Sequence, residues 1–274
     1  MKTLPDYPYS FAELQKRIAT INIQPLQSFP SEKQAIRLAL DCIDLTTLEG
    51  IDNSAKIEQL CNNAIQFNTA AVCVFPVFVK QAKLLLKDTP IKVATVAGAF
   101  PHGQSPIDLK VAEVEYAVAQ GADEIDMVIS RGLFLEKKYN IVFNEIEAIK
   151  KACQHAHLKV ILETGELIEP ELVFKASMLA MYAGADFIKT STGKIPINAT
   201  PDAFLVMLDA IQLYNNETKR QVGVKPAGGI TDITTTLLYL KIFENTLNTS
   251  LLSNRFLRFG ASKLASHLYH SFEN

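Results

Sequence analysis

The chain has 274 residues, 48% of them hydrophobic and 20% charged, which excludes a disordered polypeptide and supplies a sizeable core. Lys and Arg total 27 against 29 Asp and Glu, a formal net charge of −2, so the cationic excess expected of a general nucleic-acid binder is absent. No apolar run approaches the roughly 20 residues of a bilayer-spanning helix, and Pro5, Asp6 and Pro8 interrupt the stretch where a secretion signal would be unbroken.

Residues 1–36 read as an N-terminal extension, with a short helix over Phe11 to Ile21 and with Pro25 and Pro30 as punctuation. From residue 37 to 274 one domain repeats a single grammar: a short apolar run, a turn, then a longer amphipathic stretch. The apolar runs are 38–46, 70–76, 91–99, 124–130, 159–165, 186–192, 221–227 and a weaker 258–262. Several are too short for buried helices and rich in Val and Ile, so they read as strands. Helical faces recur over Lys56 to Phe67, Ile107 to Ala119, Val142 to Ala156, Pro170 to Ala183 and Pro201 to Leu213. Pro170 and Pro201 suit first-turn positions, Asp202 suits the positive end of its helix, and Gly121, Gly184 and Gly223 suit left-handed caps or tight turns. The polar stretch Asn245 to Asn254 reads as a loop. Strands alternating with helices imply parallel βα units, and eight of them favour a closed barrel, a TIM (β/α)8 barrel, over an open doubly wound sheet. The fold class is therefore α/β.

Cys42, Cys61, Cys73 and Cys153 show no C-x-x-C spacing and fit reduced thiols in a cytoplasmic protein. The sequons at Asn198, Asn216 and Asn248 then read as chance matches.

Chemistry is best sought among ionisable groups that burial should have excluded. Lys189 lies in or at the end of one expected parallel strand and Lys225 takes the same place one βα unit later. Parallel strands are covered on both faces, so such a lysine either snorkels at a rim or points into a site. A free lysine with a pKa near 10.4 is almost wholly protonated at pH 7. A second ammonium about 5 Å away disfavours the charged form by roughly 3 kcal/mol at an effective dielectric of about 20. A close lysine pair thus suits either a Schiff-base nucleophile or an anion clamp. Asp126 lies inside another strand and reads as a structural hydrogen-bonding group or as a general acid–base; Asp44 is similarly placed on strand one. Asp123 and Glu124 precede Asp126 at the turn, where solvent is expected to reach them.

Gly228-Gly229 follows strand seven and opens a helix, and Gly260-Ala261-Ser262 closes strand eight and opens the last helix. Such turns are either plain turns or backbone cradles for phosphate, and a barrel's phosphate site commonly lies after strands seven and eight. His155-x-His157 sits before strand five, at the end of the barrel away from chemistry, so no metal is expected there. Cys73 reads as a buried small hydrophobe, and His102 as a loop residue or part of the site mouth. Neither G-x-x-x-x-G-K-[ST] nor a helix-opening G-x-G-x-x-G occurs, so nucleotide and NAD fingerprints are missing.

These residues, in order, resemble the deoxyribose-phosphate aldolases, class I aldolases on a TIM barrel. The matching stretches are Asp44-Leu45-Thr46-Thr47-Leu48, residues 70–76, Phe100-Pro101-His102-Gly103, residues 121–126, residues 163–167, residues 183–194, residues 224–229 and residues 258–262. The stretch Phe187-Ile188-Lys189-Thr190-Ser191-Thr192-Gly193-Lys194 is the most specific. The resemblance implies reversible cleavage of 2-deoxy-D-ribose 5-phosphate to acetaldehyde and D-glyceraldehyde 3-phosphate, with no metal and no cofactor. It places the Schiff-base nucleophile on Lys189, pKa perturbation and proton transfer on Lys225, and the proton donor/acceptor on Asp126. Substrate and its phosphate would be met by Asp44, Thr192, Lys194, Gly228, Gly229, Gly260 and Ser262. The implied partner is a small phosphosugar, with neither nucleic acid nor membrane, and a homodimer or higher homo-oligomer is expected.

The sequence departs from the family pattern in three places. Lys263 stands where a second serine is common, no tyrosine occupies the end of the chain (Tyr269 is too early if helical), and residues 1–36 and 245–254 match no motif. Two rival readings are a Schiff-base aldolase for another phosphosugar and a barrel that binds such a ligand without turning it over.

Overall fold

The computed structural model describes residues 2–273. Eight strands form one sheet in the order β7-β6-β5-β4-β3-β2-β1-β8, every neighbouring pair parallel. They are β1 (Ile43–Thr46), β2 (Ala71–Val74), β3 (Lys92–Ala97), β4 (Glu124–Val128), β5 (His157–Ile161), β6 (Phe187–Lys189), β7 (Gly223–Lys225) and β8 (Phe259–Ala261). Single bridges from Val224 to Leu257 and from Ala227 to Gly260 join the two ends and close the ring. The result is one (β/α)8 barrel.

Around it run α1 (Phe11–Ile23), α2 (Glu32–Asp41), α3 (Ser54–Phe67), α4 (Val79–Leu85), α5 (Ile107–Ala119) and α6 (Arg131–Leu135). The rest are α7 (Tyr139–Ala152), α8 (Thr164–Leu167), α9 (Pro170–Tyr182), α10 (Pro201–Thr218), α11 (Ile233–Thr246) and α12 (Leu264–Glu273). Pro170 and Pro201 open α9 and α10, where a missing N–H costs nothing, and the Thr200 hydroxyl caps α10 by accepting from the Ala203 N–H. Apolar strand and helix faces meet in one core between barrel and helices.

Four sequence expectations need correction. The run 38–46 is not one strand: Leu38 to Asp41 complete α2, whose periodic face (Ala35, Ile36, Ala39, Leu40) is buried, and only Ile43–Thr46 extends. The run 159–165 stops as a strand at Ile161, and Thr164–Leu167 forms a helical turn. Gly223 is neither cap nor turn but lies in β7, where an added Cβ would sit 2.3 Å from the Phe187 ring. Gly228-Gly229 bends the chain but does not open a helix, since α11 starts at Ile233 behind its Asp232 cap. Gly121 and Gly184 do take positive φ, 100° and 104°, just past α5 and α9.

The N-terminal residues are tied to the barrel's outer layer. Arg17 grips Asp209 of α10 with two hydrogen bonds of 2.7 Å, and the Tyr7 hydroxyl donates to the same carboxylate at 2.8 Å. The boundary expected at residue 36 falls inside α2. No helix of the described residues is long and apolar enough to cross a membrane.

Candidate active site

Strand register gathers the ionisable side chains. Lys189 and Lys225 are Cα partners across β6 and β7, and Asp126 and Lys159 are partners across β4 and β5. Register partners in a parallel sheet point to the same face, and here that face is the barrel interior. Lys189 and Lys225 both donate to Oδ2 of Asp126, each at 2.8 Å. The two nitrogens are thereby held within two hydrogen-bond lengths of each other.

Sequence reasoning missed three members of this cluster, Glu124, Lys159 and Arg258. Lys159 is fully buried and reaches Glu124 at 2.5 Å, Asp126 at 2.9 Å and Asp44 at 3.6 Å. Arg258 reaches Asp44 at 2.6 Å and Glu124 at 2.8 Å. Glu124, expected in solvent, is 2% exposed, because the first residue of β4 already faces inward beside these cations. Asp123 is the partly solvated one, paired with Lys83 at 2.9 Å. Lys159 carried the same signal as Lys189 and Lys225, a lysine inside an apolar strand.

The cluster holds three carboxylates (Asp44, Glu124, Asp126) and four bases (Lys159, Lys189, Lys225, Arg258). Charges balance when one base is neutral, and burial makes balance matter. Lys159, Lys225 and Arg258 each touch two or more carboxylates, whereas Lys189 touches Asp126 alone. Burial and the nearby Lys225 charge outweigh the attraction of Asp126 and hold the Lys189 ammonium below the ordinary lysine pKa. Burial also disfavours charge on Lys225, but Asp126 and then Asp44 overcome it and lift its pKa. For Asp126 the burial penalty is overcome by Lys159, Lys189 and Lys225, which keep it ionised well below the usual carboxylate range. Burial pushes the nearby Cys73 thiol up to about 11, against nucleophilic use at neutral pH.

Above the cluster opens a cavity of about 270 Å³ at the C-terminal ends of the strands. Lys189 is on its wall, with Thr192, Lys194, Gly228, Gly229, Gly260 and Ser262. Asp44 is not: it lies beneath, fully buried, joined to Lys225 at 2.5 Å and to Arg258. Gly228 has φ +76°, and a Cβ there would come within 2.7 Å of Asn198, so two conditions at once favour glycine. Gly260 is constrained by closeness alone, a Cβ meeting that of Ala227 at 2.7 Å. Glu163, at φ 58°, is buried and accepts from the Thr192 hydroxyl at 2.6 Å and the Thr192 N–H at 3.1 Å, fixing that wall. Lys263 also lines the cavity.

Other candidates lie elsewhere. Tyr269 is in α12 with its ring against Phe67. His102 is exposed and off the cavity wall, as are His155 and His157. No group of three His, Cys, Asp or Glu placed to hold a metal ion occurs among the described residues.

A closed parallel barrel with a buried lysine–carboxylate cluster under a glycine-rimmed cavity defines an enzyme site of the aldolase class. Residues 38–244 match the family model described as DeoC/LacD family aldolase, and the chain belongs to that family. It is similar to a solved structure described as QR15, an aldolase, at 30% identity over 86% of this chain and 96% of that one, TM-score 0.72. It is also similar to a protein from Coccidioides immitis described as a candidate deoxyribose-phosphate aldolase, at 28% identity over 96% and 98% of the two chains, TM-score 0.75. A deoxyribose phosphate aldolase from Aeropyrum pernix, described as tetrameric, shares the fold at 23% identity over 94% and 98%, TM-score 0.74. The protein is thus a lyase, an aldolase built on a TIM barrel.

Proposed function

We propose that the chain is a class I aldolase that reversibly cleaves 2-deoxy-D-ribose 5-phosphate to acetaldehyde and D-glyceraldehyde 3-phosphate through a Schiff base on Lys189. The observation that carries this reading is the charge count: of four buried bases, Lys189 alone has a single carboxylate partner, and it alone lies on the cavity wall.

Neutral Lys189 attacks the substrate aldehyde carbon, and loss of water leaves an iminium. Asp126, or a water it orients, takes the proton from the C3 hydroxyl. The C2–C3 bond then breaks, its electron pair moving toward the iminium to give an enamine as glyceraldehyde 3-phosphate departs. Protonation of the enamine carbon, with Lys225 as the buried proton store, regenerates an iminium, and water releases acetaldehyde and Lys189. Asp126 is suited to both Lys189 and Lys225 because one oxygen contacts both. Thr192, Lys194, Ser262 and the backbone at Gly229 receive the phosphate, while Gly228 and Gly260, whose N–H groups donate to backbone carbonyls, leave room for it by having no side chain. Asp44 serves by holding Lys225 from below. The four cysteines are unpaired and buried, which supports a cytoplasmic setting.

The test is borohydride reduction in the presence of 2-deoxy-D-ribose 5-phosphate, followed by peptide mass spectrometry. A reduced two-carbon or five-carbon adduct on Lys189 is expected; an adduct on another lysine, or none from folded protein, overturns the assignment.

A further inference from the structure

A second ion pair crosses the mouth of the cavity. Lys194, in the loop after β6, donates from Nζ to Oε1 of Glu49, in the loop after β1, at 3.0 Å. In the closed ring β8 and β7 separate β1 from β6. Gly260 of β8 and, from the loops after those two strands, Gly228, Gly229 and Ser262 line the same cavity, so the pair bridges the glycine-rich rim.

Both ends of the bridge leave anchored backbone. The Glu49 N–H donates to Asp52 Oδ2 at 2.9 Å, and the Thr47 hydroxyl donates to Asp52 Oδ1 at 2.8 Å. On the other side the Lys194 N–H donates to the Thr192 hydroxyl at 3.1 Å, and Thr192 is held by buried Glu163. The cavity wall also carries Lys263. The rim therefore offers two cations to an incoming anion, with one of them engaged by an internal carboxylate.

We infer that Glu49 is an internal counter-ion that a substrate phosphate must displace from Lys194, so that Glu49 sets how strongly the site favours phosphorylated over unphosphorylated substrates. The inference rests on the proposed use of this rim for phosphate. A dianionic phosphate brought to Lys194 breaks the Glu49 contact and meets its charge at close range, and each effect weakens binding. Because Glu49 is largely exposed, with 66% of its side-chain surface accessible, the penalty is screened and modest. Lys263 offsets part of it by adding a cation. An unphosphorylated sugar displaces nothing and escapes the penalty.

The experiment compares wild type with Glu49→Gln and Glu49→Ser, two neutral replacements at an exposed position. Calorimetric binding of inorganic phosphate is measured alongside kcat/KM for 2-deoxyribose 5-phosphate and for unphosphorylated 2-deoxyribose. Both variants are expected to bind phosphate about 2–5-fold more tightly and to raise the phosphorylated-to-unphosphorylated ratio of kcat/KM by a similar factor. Unchanged phosphate affinity, an equal change on both sugars, or no phosphate binding by any of the proteins overturns the inference. Tighter phosphate binding without turnover of 2-deoxyribose 5-phosphate upholds Glu49 and instead sinks the substrate assignment.

Discussion

At the scale of single residues, the two central lysines differ through their contacts rather than their chemistry. Lys225 is clamped by Asp44 and Asp126, whereas Lys189 meets Asp126 and faces the cavity. Lys189→Leu is expected to abolish turnover while circular dichroism and the melting transition stay those of a folded barrel. Lys225→Leu removes one positive charge from the surroundings of Lys189 and leaves three carboxylates facing two fixed cations. Protonated Lys189 then restores the balance, so its pKa rises. The pH at which the rate climbs, as neutral Lys189 accumulates, should move upward, because the repulsion that Lys225 exerts on the charged form is gone. A pH–rate profile of the variant checks this, and an unmoved profile would remove Lys225 from its tuning role.

At the scale of elements, helix positions were legible at Pro170 and Pro201, where an apolar stripe coincided with a first-turn proline. The barrel count was legible because each short strand is buried on both sides and reads as an apolar run. The α2–β1 junction was not, since Leu38 to Thr46 is apolar at both helical and strand spacing, and only the turn at Cys42 separates the two. Lys189, Lys225 and Asp126 stood out as charges in apolar runs. Glu124 and Arg258 did not, because they sit at strand edges where a charge ordinarily meets water and only ring closure buries them. The N-terminal helix was visible, but its anchorage was not, because Arg17 and Asp209 are 192 residues apart. That anchorage predicts a separation of stability from activity. Arg17→Met leaves Asp209, 8% exposed, without its bidentate partner. A loss of about 1–2 kcal/mol is expected, less than for a fully buried pair because Arg17 is partly solvated. Urea unfolding should show the lower midpoint, with kcat unaltered; a matching fall in kcat would mean that α1 also supports the site.

For the whole molecule, the buried cluster takes the place of much of the apolar filling usual in the centre of such a barrel, leaving a small apolar cluster of Leu48, Cys73, Ala94 and Val96, and this ties folding to pH. Burial alone would raise the pKa of Asp44, Glu124 and Asp126, yet the surrounding cations reverse this and hold all three below their ordinary values. In the unfolded chain the same groups titrate near 4. Below that pH the unfolded chain takes up protons that the native barrel refuses, so stability falls as acid is added. The contribution is complete above the unfolded values and is lost as pH drops through the lowered native ones. Each carboxylate held ionised in this way adds to stability at neutral pH, and the three share partners, so they fail together rather than one at a time. Urea midpoints should therefore stay level between about pH 7 and 5 and fall steeply below about pH 4, where the unfolded carboxylates protonate. A Glu124→Gln variant has one fewer proton to gain on unfolding. Its stability at neutral pH should be lower, because Lys159 and Arg258 lose a partner, while its decline with acid should be shallower. Midpoints measured for both proteins from pH 7 to 3 check the slope as well as the height, and parallel curves would show that Glu124 does not contribute to the acid limb.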